Sequence, residues 1–360
     1  MARVNKDLTV LIGRFSPFHN GHAAVLRRAL STSKVTLVLI GSAGDAPTTR
    51  NPFSFEFRKQ LIIDWYLSLP AGSGFIRVEP LPDTPYNDQL WARDVQVAVE
   101  KAKSDYADEL GLNPSIHLTG ARRDASSWYL DVFPTWKKDF FQEDDHDFSL
   151  SASKVRDILF NSSDHGDVVD RVQHLVPKTT LEALHWFRQQ PQFEQLRREH
   201  HFIESYKMRW EAAPYAPTFV TVDAVVVQAG HVLLIERRAE PGKGLWALPG
   251  GFVGQGERLQ DAVVRELREE TRLKVPEPVL KGSIKSKETF DHPDRSLRGR
   301  TITTAYLIQL AETGELPPVK GGDDAAKAFW VPIAEVLAKR DRLFEDHFHI
   351  TTTMVGRIVS

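Results

Sequence analysis

The chain has 360 residues, 41% hydrophobic and 26% charged, which excludes the disordered and fibrous classes and leaves room for two cores. A formal net charge of −2 argues against a nucleic-acid coat or a polybasic membrane anchor, while 46 basic side chains leave room for local phosphate pockets. Without cysteine, disulfides, zinc–thiolate sites and cysteine nucleophiles are excluded as well.

In chain order, residues 1–10 carry Arg3, Lys6 and Asp7 and lack a signal-peptide layout. No apolar run approaches the ~20 residues of a membrane helix, so a cytoplasmic protein is expected. Leu8 to Ile12, ending at Gly13, reads as a buried parallel strand, His22 to Leu30 as a helix and Val35 to Ile40 as a second strand. Phe75 to Val78 and Ile116 to Leu118 read as further strands and Leu90 to Ala102 as a helix. Strand, loop, helix, strand begins a doubly wound α/β sheet, whose ligands collect at the carboxyl ends of the strands. Lys178 to Glu211 has helical spacing and precedes the Pro-bearing segment Ala212 to Pro217, as expected of a connecting helix and linker. Thr218 to Val227 and His231 to Glu236 then read as antiparallel strands turning at Ala229-Gly230. A Gly-rich loop from Gly250 to Gly256, a charged helix from Leu259 to Thr271 and a strand from Thr301 to Leu310 complete a separate α+β domain. The expected division is a first domain over residues 1–180, a helical connector over 181–212 and a second domain over 213–360.

Gly13-Arg14-Phe15-Ser16-Pro17-Phe18-His19-Asn20-Gly21-His22 is the most informative segment of the first half. His19 and His22 flank Gly21 where a helix begins, and a helix N-terminus offers unpaired N–H groups and a positive dipole end to a phosphate. Two imidazoles there can donate to an oxyanion; the alternative is a pair of solvated loop histidines. The segment resembles the His-x-Gly-His signature of the nucleotidyltransferase superfamily in its nicotinamide-nucleotide adenylyltransferase form. Ser151-Ala152-Ser153-Lys154-Val155-Arg156 resembles that family's second signature, Ile-Ser-x-Thr-x-x-Arg, with Leu150 for the Ile and Ser153 for the Thr. The resemblance implies a Rossmann-like fold and attack of an acceptor phosphate on the α-phosphorus of ATP. His19, His22 and Arg156 are then catalytic, and Ser151 and Ser153 grip the β,γ-phosphates. Arg50-Asn51-Pro52-Phe53 and Tyr86-Asn87-Asp88-Gln89-Leu90-Trp91 resemble acceptor-nucleotide segments of archaeal-type enzymes. Arg14 and Arg50 suit phosphates, and Trp91 suits a pyridinium ring, with a core anchor as its alternative. Gly13, Phe15, Asn87, Gly120 and Asp124 complete the expected binding set.

Gly251 to Leu273 reads GFVGQGERLQDAVVRELREETRL. Glu266, Glu269 and Glu270 lie three and four apart, on one helix face. Hard carboxylate oxygens gathered in this way suit Mg²⁺, or Mn²⁺ as the alternative cation, bridging a diphosphate and activating water. The run resembles the Nudix box, Gly-x5-Glu-x7-Arg-Glu-U-x-Glu-Glu-x-Gly-U with U aliphatic, through Gly251, Glu257, Arg265, Glu266, Leu267, Glu269, Glu270 and Leu273. Arg272 stands where the box has its last glycine, so an altered helix exit is expected. Glu257, Arg265 and Glu266 are the expected catalytic set and Glu266, Glu269 and Glu270 the expected metal ligands. Arg265 would pair with Glu257 to orient the cluster. Glu288 and Asp324 are both candidates for a base outside the box, and Arg295 to Arg300 for contact with substrate phosphates, with a solvated loop as the equal alternative.

The order of the two signatures resembles the bifunctional nicotinamide mononucleotide adenylyltransferase/ADP-ribose pyrophosphatase proteins over nearly the whole length. That resemblance implies ATP, nicotinamide mononucleotide and ADP-ribose as ligands, with no nucleic acid and no membrane, and is compatible with a homo-oligomer. Three alternatives stay open: another adenylyl acceptor, another Nudix substrate, or a Nudix-type ligand-sensing regulator.

Overall fold

The computed structural model describes residues 6–70, 74–121, 125–141 and 151–357. It divides into two compact units, Met1–Arg197 and Arg198–Ser360. Among the described residues no helix is long and apolar enough to cross a membrane.

The first unit runs β1 (Lys6–Gly13), α1 (Asn20–Thr32), β2 (Ser33–Ile40), α2 (Phe55–Leu67), β3 (Phe75–Pro80), α3 (Asp88–Asp105), α4 (Ala107–Leu110), β4 (Ile116–Ala121), β5 (Lys137–Phe141), α5 (Ala152–Asn161), α6 (His165–Val172) and α7 (Lys178–Arg188). The five strands form one sheet in the order β3-β2-β1-β4-β5, every pairing parallel. Alternation along the strands supplies both faces of the core. Leu8, Val10, Ile12, Val35, Leu37 and Leu39 pack with Val95 and Val99 of α3. Leu11, Val38, Ile40 and Val78 pack with Leu26 and Leu30 of α1 and Leu61, Ile62 and Trp65 of α2. Helices on both faces make the sheet doubly wound, as its apolar runs foretold.

A satellite core gathers Val155, Ile158 and Leu159 of α5 with Leu184 and Phe187 of α7 and Phe193 and Leu196. The stretch expected to be one connecting helix is two, α7 and α8 (Pro191–Met208). The physical reason is Pro191, which lacks an N–H and suits a helix start, and the apolar stripe of α7 is buried rather than solvated.

The second unit continues with β6 (Phe219–Gln228), β7 (His231–Arg237), β8 (Trp246–Ala247), β9 (Gly250–Phe252), α9 (Leu259–Thr271), α10 (Glu277–Gly282), β10 (Ile284–Phe290), β11 (Thr301–Gln309), β12 (Ala325–Pro332), α11 (Ile333–Ala338) and α12 (His347–Gly356). Ala229 and Gly230 both have positive φ, 47° and 70°, as a two-residue hairpin turn of the primed kind requires. Yet β6 and β7 pair only at Val227↔Val232 and Gln228↔His231. They then part, β6 running parallel to β11 and β7 antiparallel to β12. The segment leading into α9 fills the opening: β8 pairs with β7, and β9 pairs with β6 at Thr221↔Phe252, Val222↔Gly251 and Asp223↔Gly250. The start of the expected Gly-rich loop is therefore strand, because its backbone groups find partners on β6. Ala262, Val263 and Leu267 press α9 onto Val222, Ala224 and Val226.

Candidate active sites

The carboxyl edge of the parallel sheet is laced together by backbone bonds, Gly41 N–H to Gly13 O at 2.9 Å and Leu81 N–H to Ile40 O at 2.9 Å. The loop after β1 turns back sharply: Phe15 has φ 50° and is buried. A side chain at Gly13 would bring its Cβ to 2.9 Å of the buried Phe15 ring, which would then have to shift. The Phe15 ring in turn meets His22 edge-on at 4.8 Å.

His19 is the N-cap of α1 and His22 its third residue, and each caps the other. The His22 N–H donates to His19 Nδ1 at 3.4 Å, and the His19 N–H donates to His22 Nδ1 at 3.3 Å. This is a capping box built from imidazoles. The rings stack with centroids 3.6 Å apart. With both Nδ1 atoms accepting, the hydrogen-bond pattern assigns the neutral-ring proton to Nε2 in each, so the pair presents two donors at a helix N-terminus.

The second signature lies beside it. Ser151 caps α5 by accepting from the Lys154 N–H at 3.2 Å. Arg156 donates to Ser16 O at 2.6 Å and to Ser153 Oγ at 3.0 Å, tying α5 to the β1 loop. Burial pushes the Arg156 guanidinium down to about 10, and the charges of Arg14 and Arg50 act in the same direction. Three guanidinium groups thus share one neighbourhood, an arrangement that suits a polyphosphate. Asn87 uses its side chain as N-cap of α3, accepting from the Leu90 N–H at 3.1 Å. Trp91 is partly buried against the core, 5.3 Å from Trp128 and 6.0 Å from Tyr129. Gly120, next to last in β4, lies against the side chains of Leu130 and Tyr129; Asp124 lies outside the described residues.

Sequence reasoning missed Arg58. It is 1% exposed, yet donates to the carbonyls of Arg14 (2.9 Å), Gly41 (2.7 Å), Ser42 (3.0 Å) and Ser54 (3.3 Å). Burial lowers it to about 10 while Asp83 and Asp45 raise it. Asp83 also accepts from the Ser42 N–H at 3.0 Å and its hydroxyl at 2.6 Å. A signal was present: Arg58, Leu61, Ile62 and Trp65 are the buried residues of α2, at i, i+3, i+4 and i+7.

In the second unit Arg265 gathers the carboxylates. It donates to both oxygens of Glu257 at 2.8 and 2.9 Å, to Glu266 at 2.7 Å and to Glu269 at 3.0 Å. These bonds, Glu257's first, raise the arginine further, and Arg265 in turn lowers Glu257. Glu270 accepts from the Gly250 N–H at 2.9 Å. A Cβ on Gly251 would sit 2.7 Å from the Glu266 carboxyl, so glycine is what lets this carboxylate lie against β9. Burial raises Glu266, and raises Glu270 to about 8, with the Glu266 charge adding to the latter. Buried like-charged oxygens call for a cation, and in kind they fit a hard dication. Among the described residues no three such side chains already converge as a metal cage.

Arg272 takes φ 50°, ψ 28°, the left-handed cap that the box glycine would supply. The expected altered exit is therefore not seen: an arginine adopts the glycine conformation. Arg295 is no surface phosphate contact, since it is buried and paired with Asp346 at 2.9 and 2.8 Å. Glu288 pairs with Arg357 at 2.5 Å, whereas the Asp324 charge is felt at Glu270. His347, buried behind β8, also escaped the sequence reading.

A parallel sheet with a histidine-capped helix, followed by a glutamate helix beside a mixed sheet, defines a nucleotidyltransferase-type unit joined to a Nudix-type unit. Residues 10–158 match the Cytidylyltransferase-like family and residues 217–353 the NUDIX domain. A Francisella tularensis crystal structure of a bifunctional NMN adenylyltransferase/ADP ribose pyrophosphatase, complexed with AMP and a Mn ion, is similar over 98% of this chain and 99% of its own. The identity is 34% and the TM-score 0.85. An ADP-ribose pyrophosphatase of Methanocaldococcus jannaschii is 40% identical over 114 residues, 32% of this chain and 62% of that protein, under two thirds of its length. A nicotinamide/nicotinic acid mononucleotide adenylyltransferase of Acinetobacter baylyi is 26% identical over 200 residues, 55% of this chain and 96% of that protein. The chain belongs to the bifunctional NMN adenylyltransferase/ADP-ribose pyrophosphatase family.

Proposed function

We propose that the chain transfers AMP from ATP to nicotinamide mononucleotide, giving NAD and pyrophosphate, and hydrolyses ADP-ribose to AMP and ribose 5-phosphate. The first activity belongs to residues 1–180, the second to residues 213–360, with 181–212 as connector. The observation that carries the reading is the imidazole capping box beside Arg156, in a chain so similar over its length to the Francisella protein.

In the first reaction an acceptor phosphate oxygen bonds to the α-phosphorus of ATP. The bond from that phosphorus to the bridging oxygen breaks, and pyrophosphate leaves with the electron pair. The Nε2–H groups of His19 and His22 donate to the α-phosphate oxygens as charge develops. Arg156, Ser151 and Ser153 hold the β,γ-phosphates at the start of α5. Arg14 and Arg50 hold the acceptor phosphate, and Trp91 takes the pyridinium ring. Gly13, Phe15, Asn87 and Gly120 belong to the nucleotide-binding set, as does Asp124 by its place in the sequence. Nothing covalent forms with the protein, so positioning and charge stabilisation carry the rate.

In the second reaction water adds across the diphosphate. Glu266, Glu269 and Glu270 would hold Mg²⁺, with Mn²⁺ as substitute. When bound, such an ion neutralises diphosphate charge and lowers the pKa of water. Arg265 and Glu257 keep the glutamates aligned. Of the two carboxylates weighed as base, Asp324 is the one electrostatically linked to the glutamate helix. The proposed setting is the cytoplasm, where both nucleotides occur, without nucleic acid or membrane as partner.

Product analysis tests both halves. With Mg²⁺, purified protein should convert ATP and nicotinamide mononucleotide to NAD and pyrophosphate, and ADP-ribose to AMP and ribose 5-phosphate. NAD without cleavage of ADP-ribose would refute the second substrate alone. Failure of both would refute the reading.

A further inference from the structure

The hydrolytic site depends on how the segment from Trp246 to Phe252 is held, and that segment changes partners midway. Ala247 pairs with Ile235 of β7, while Gly250 pairs with Asp223 of β6. Leu248 and Pro249 cross from one to the other, and Pro249 has no N–H to donate. The Leu248 N–H is thus the crossing's sole backbone donor, and Leu248 is 1% exposed. It donates to Nδ1 of His347 at 2.8 Å, a bond buried at both ends. On the opposite side the Pro249 carbonyl accepts from the Ala224 N–H at 2.8 Å.

The imidazole is itself fixed. The neighbouring Asp346 is locked by the bidentate Arg295, and the ring meets Phe344 edge-on at 5.6 Å. Its Nε2 faces Asp223 Oδ1 at 3.9 Å, while Asp223 Oδ2 accepts from the Thr303 hydroxyl at 2.6 Å. The Phe344 N–H donates to Trp246 O at 2.8 Å, so the same C-terminal segment holds both β8 and the crossing that follows it. Two residues beyond Leu248, the Gly250 N–H holds Glu270, and Gly251 lies against Glu266.

We propose that His347 is a positioning residue of the hydrolytic site: by accepting the buried Leu248 N–H it sets the height of Gly250 and Gly251, and through them the carboxylates of Glu270 and Glu266. The inference rests on reading α9 as the hydrolytic helix. Burial pushes the imidazole down to about 3, which keeps Nδ1 an acceptor across the working range.

The test compares the full chain with His347→Leu, which fills the space without an acceptor, and His347→Asn, whose Oδ1 can stand where Nδ1 stood. Three readouts are taken: kcat and KM for ADP-ribose, Mn²⁺ affinity by electron paramagnetic resonance, and NAD synthesis by the same preparation. H347L is expected to lower kcat about 10-fold or more and to weaken Mn²⁺ binding about 10-fold, the low end for groups that orient metal ligands. KM should move less than about 2-fold, NAD synthesis should be unchanged, and H347N should recover most of both losses. Wild-type kcat and Mn²⁺ affinity in H347L would overturn the proposal. So would an H347N protein no better than H347L, since a packing role alone predicts no rescue by the smaller side chain. If the unmodified chain does not cleave ADP-ribose, the substrate assignment fails, and the Mn²⁺ affinities still decide the role of His347.

Discussion

Arg58 shows what a single buried charge can organise. A guanidinium has five donors and no acceptor, and here four carbonyls around the nucleotide loop receive its hydrogen bonds. Arg58→Met would take that donor from the Arg14 and Gly41 carbonyls, while the Ser42 carbonyl keeps the Asn51 amide at 3.2 Å. An unsatisfied buried polar group costs about 1–3 kcal/mol, so the N-terminal unit should lose about 2 kcal/mol or more. Urea unfolding should show a lower midpoint at unchanged slope, and NAD synthesis should fall with it. A midpoint within experimental error of wild type would contradict this account. Arg58 and His347 leave a similar trace in the sequence: a polar residue heading the buried stripe of a helix, Leu61, Ile62 and Trp65 in one case and Ile350, Thr351 and Met354 in the other. Motif reading passes over both because neither lies in a signature. The two signature histidines were legible as a pair at a helix start, but their mutual capping was not, because it depends on how the two rings are oriented.

Elements were legible where a local rule decides them. The apolar runs of β1 and β2 and the face of α9 announced themselves, and α9 spans the residues its pattern marked. The strand Gly250–Phe252 did not, since its partner Thr221 to Asp223 lies far back along the chain and three-residue pairings leave no period to read. At the end of α9, Arg272 bears a conformation that costs an L-residue roughly 1–2 kcal/mol. Arg272→Gly should therefore raise the thermal midpoint of the C-terminal unit, by an amount equivalent to about 0.5–1 kcal/mol once the entropy of glycine in the unfolded chain is counted. A fall in the midpoint would mean that the Arg272 side chain contributes more than its backbone costs. Glu199 of α8 offers a pH test. Its buried carboxylate accepts from the Gly242 N–H at 3.2 Å, and burial raises it from 4.5 to about 7. A folded-state pKa above the unfolded one means that stability is fully present below pH 4.5 and is lost as pH rises to about 7. Glu199→Gln, neutral throughout, should thus gain on the wild type between those limits and level off above them, by at most about 3 kcal/mol. Melting curves from pH 4 to 8 read the difference directly, and a constant offset would refute the shift.

At the scale of the whole molecule, the two units have separate cores and each candidate site draws its described residues from one unit alone. Chemistry gives no reason for the two reactions to share a group, since one needs donors at a helix N-terminus and the other carboxylates on a helix face. Point substitutions should therefore separate them. Glu266→Gln keeps the shape of the side chain but removes the charge of a proposed metal ligand, and ADP-ribose hydrolysis should fall about 100-fold or more while NAD synthesis stays within about 2-fold. His22→Ala removes the proposed transition-state donor and half of the capping box, so NAD synthesis should fall about 10²–10³-fold with hydrolysis unchanged. In the double variant each loss should equal that of its single parent, as expected for groups with no shared partner. Steady-state assays of both reactions on all four proteins decide the matter. If E266Q slowed NAD synthesis, or H22A slowed hydrolysis, one site would be acting on the other, and the fusion would be a coupled machine rather than two enzymes carried on one chain.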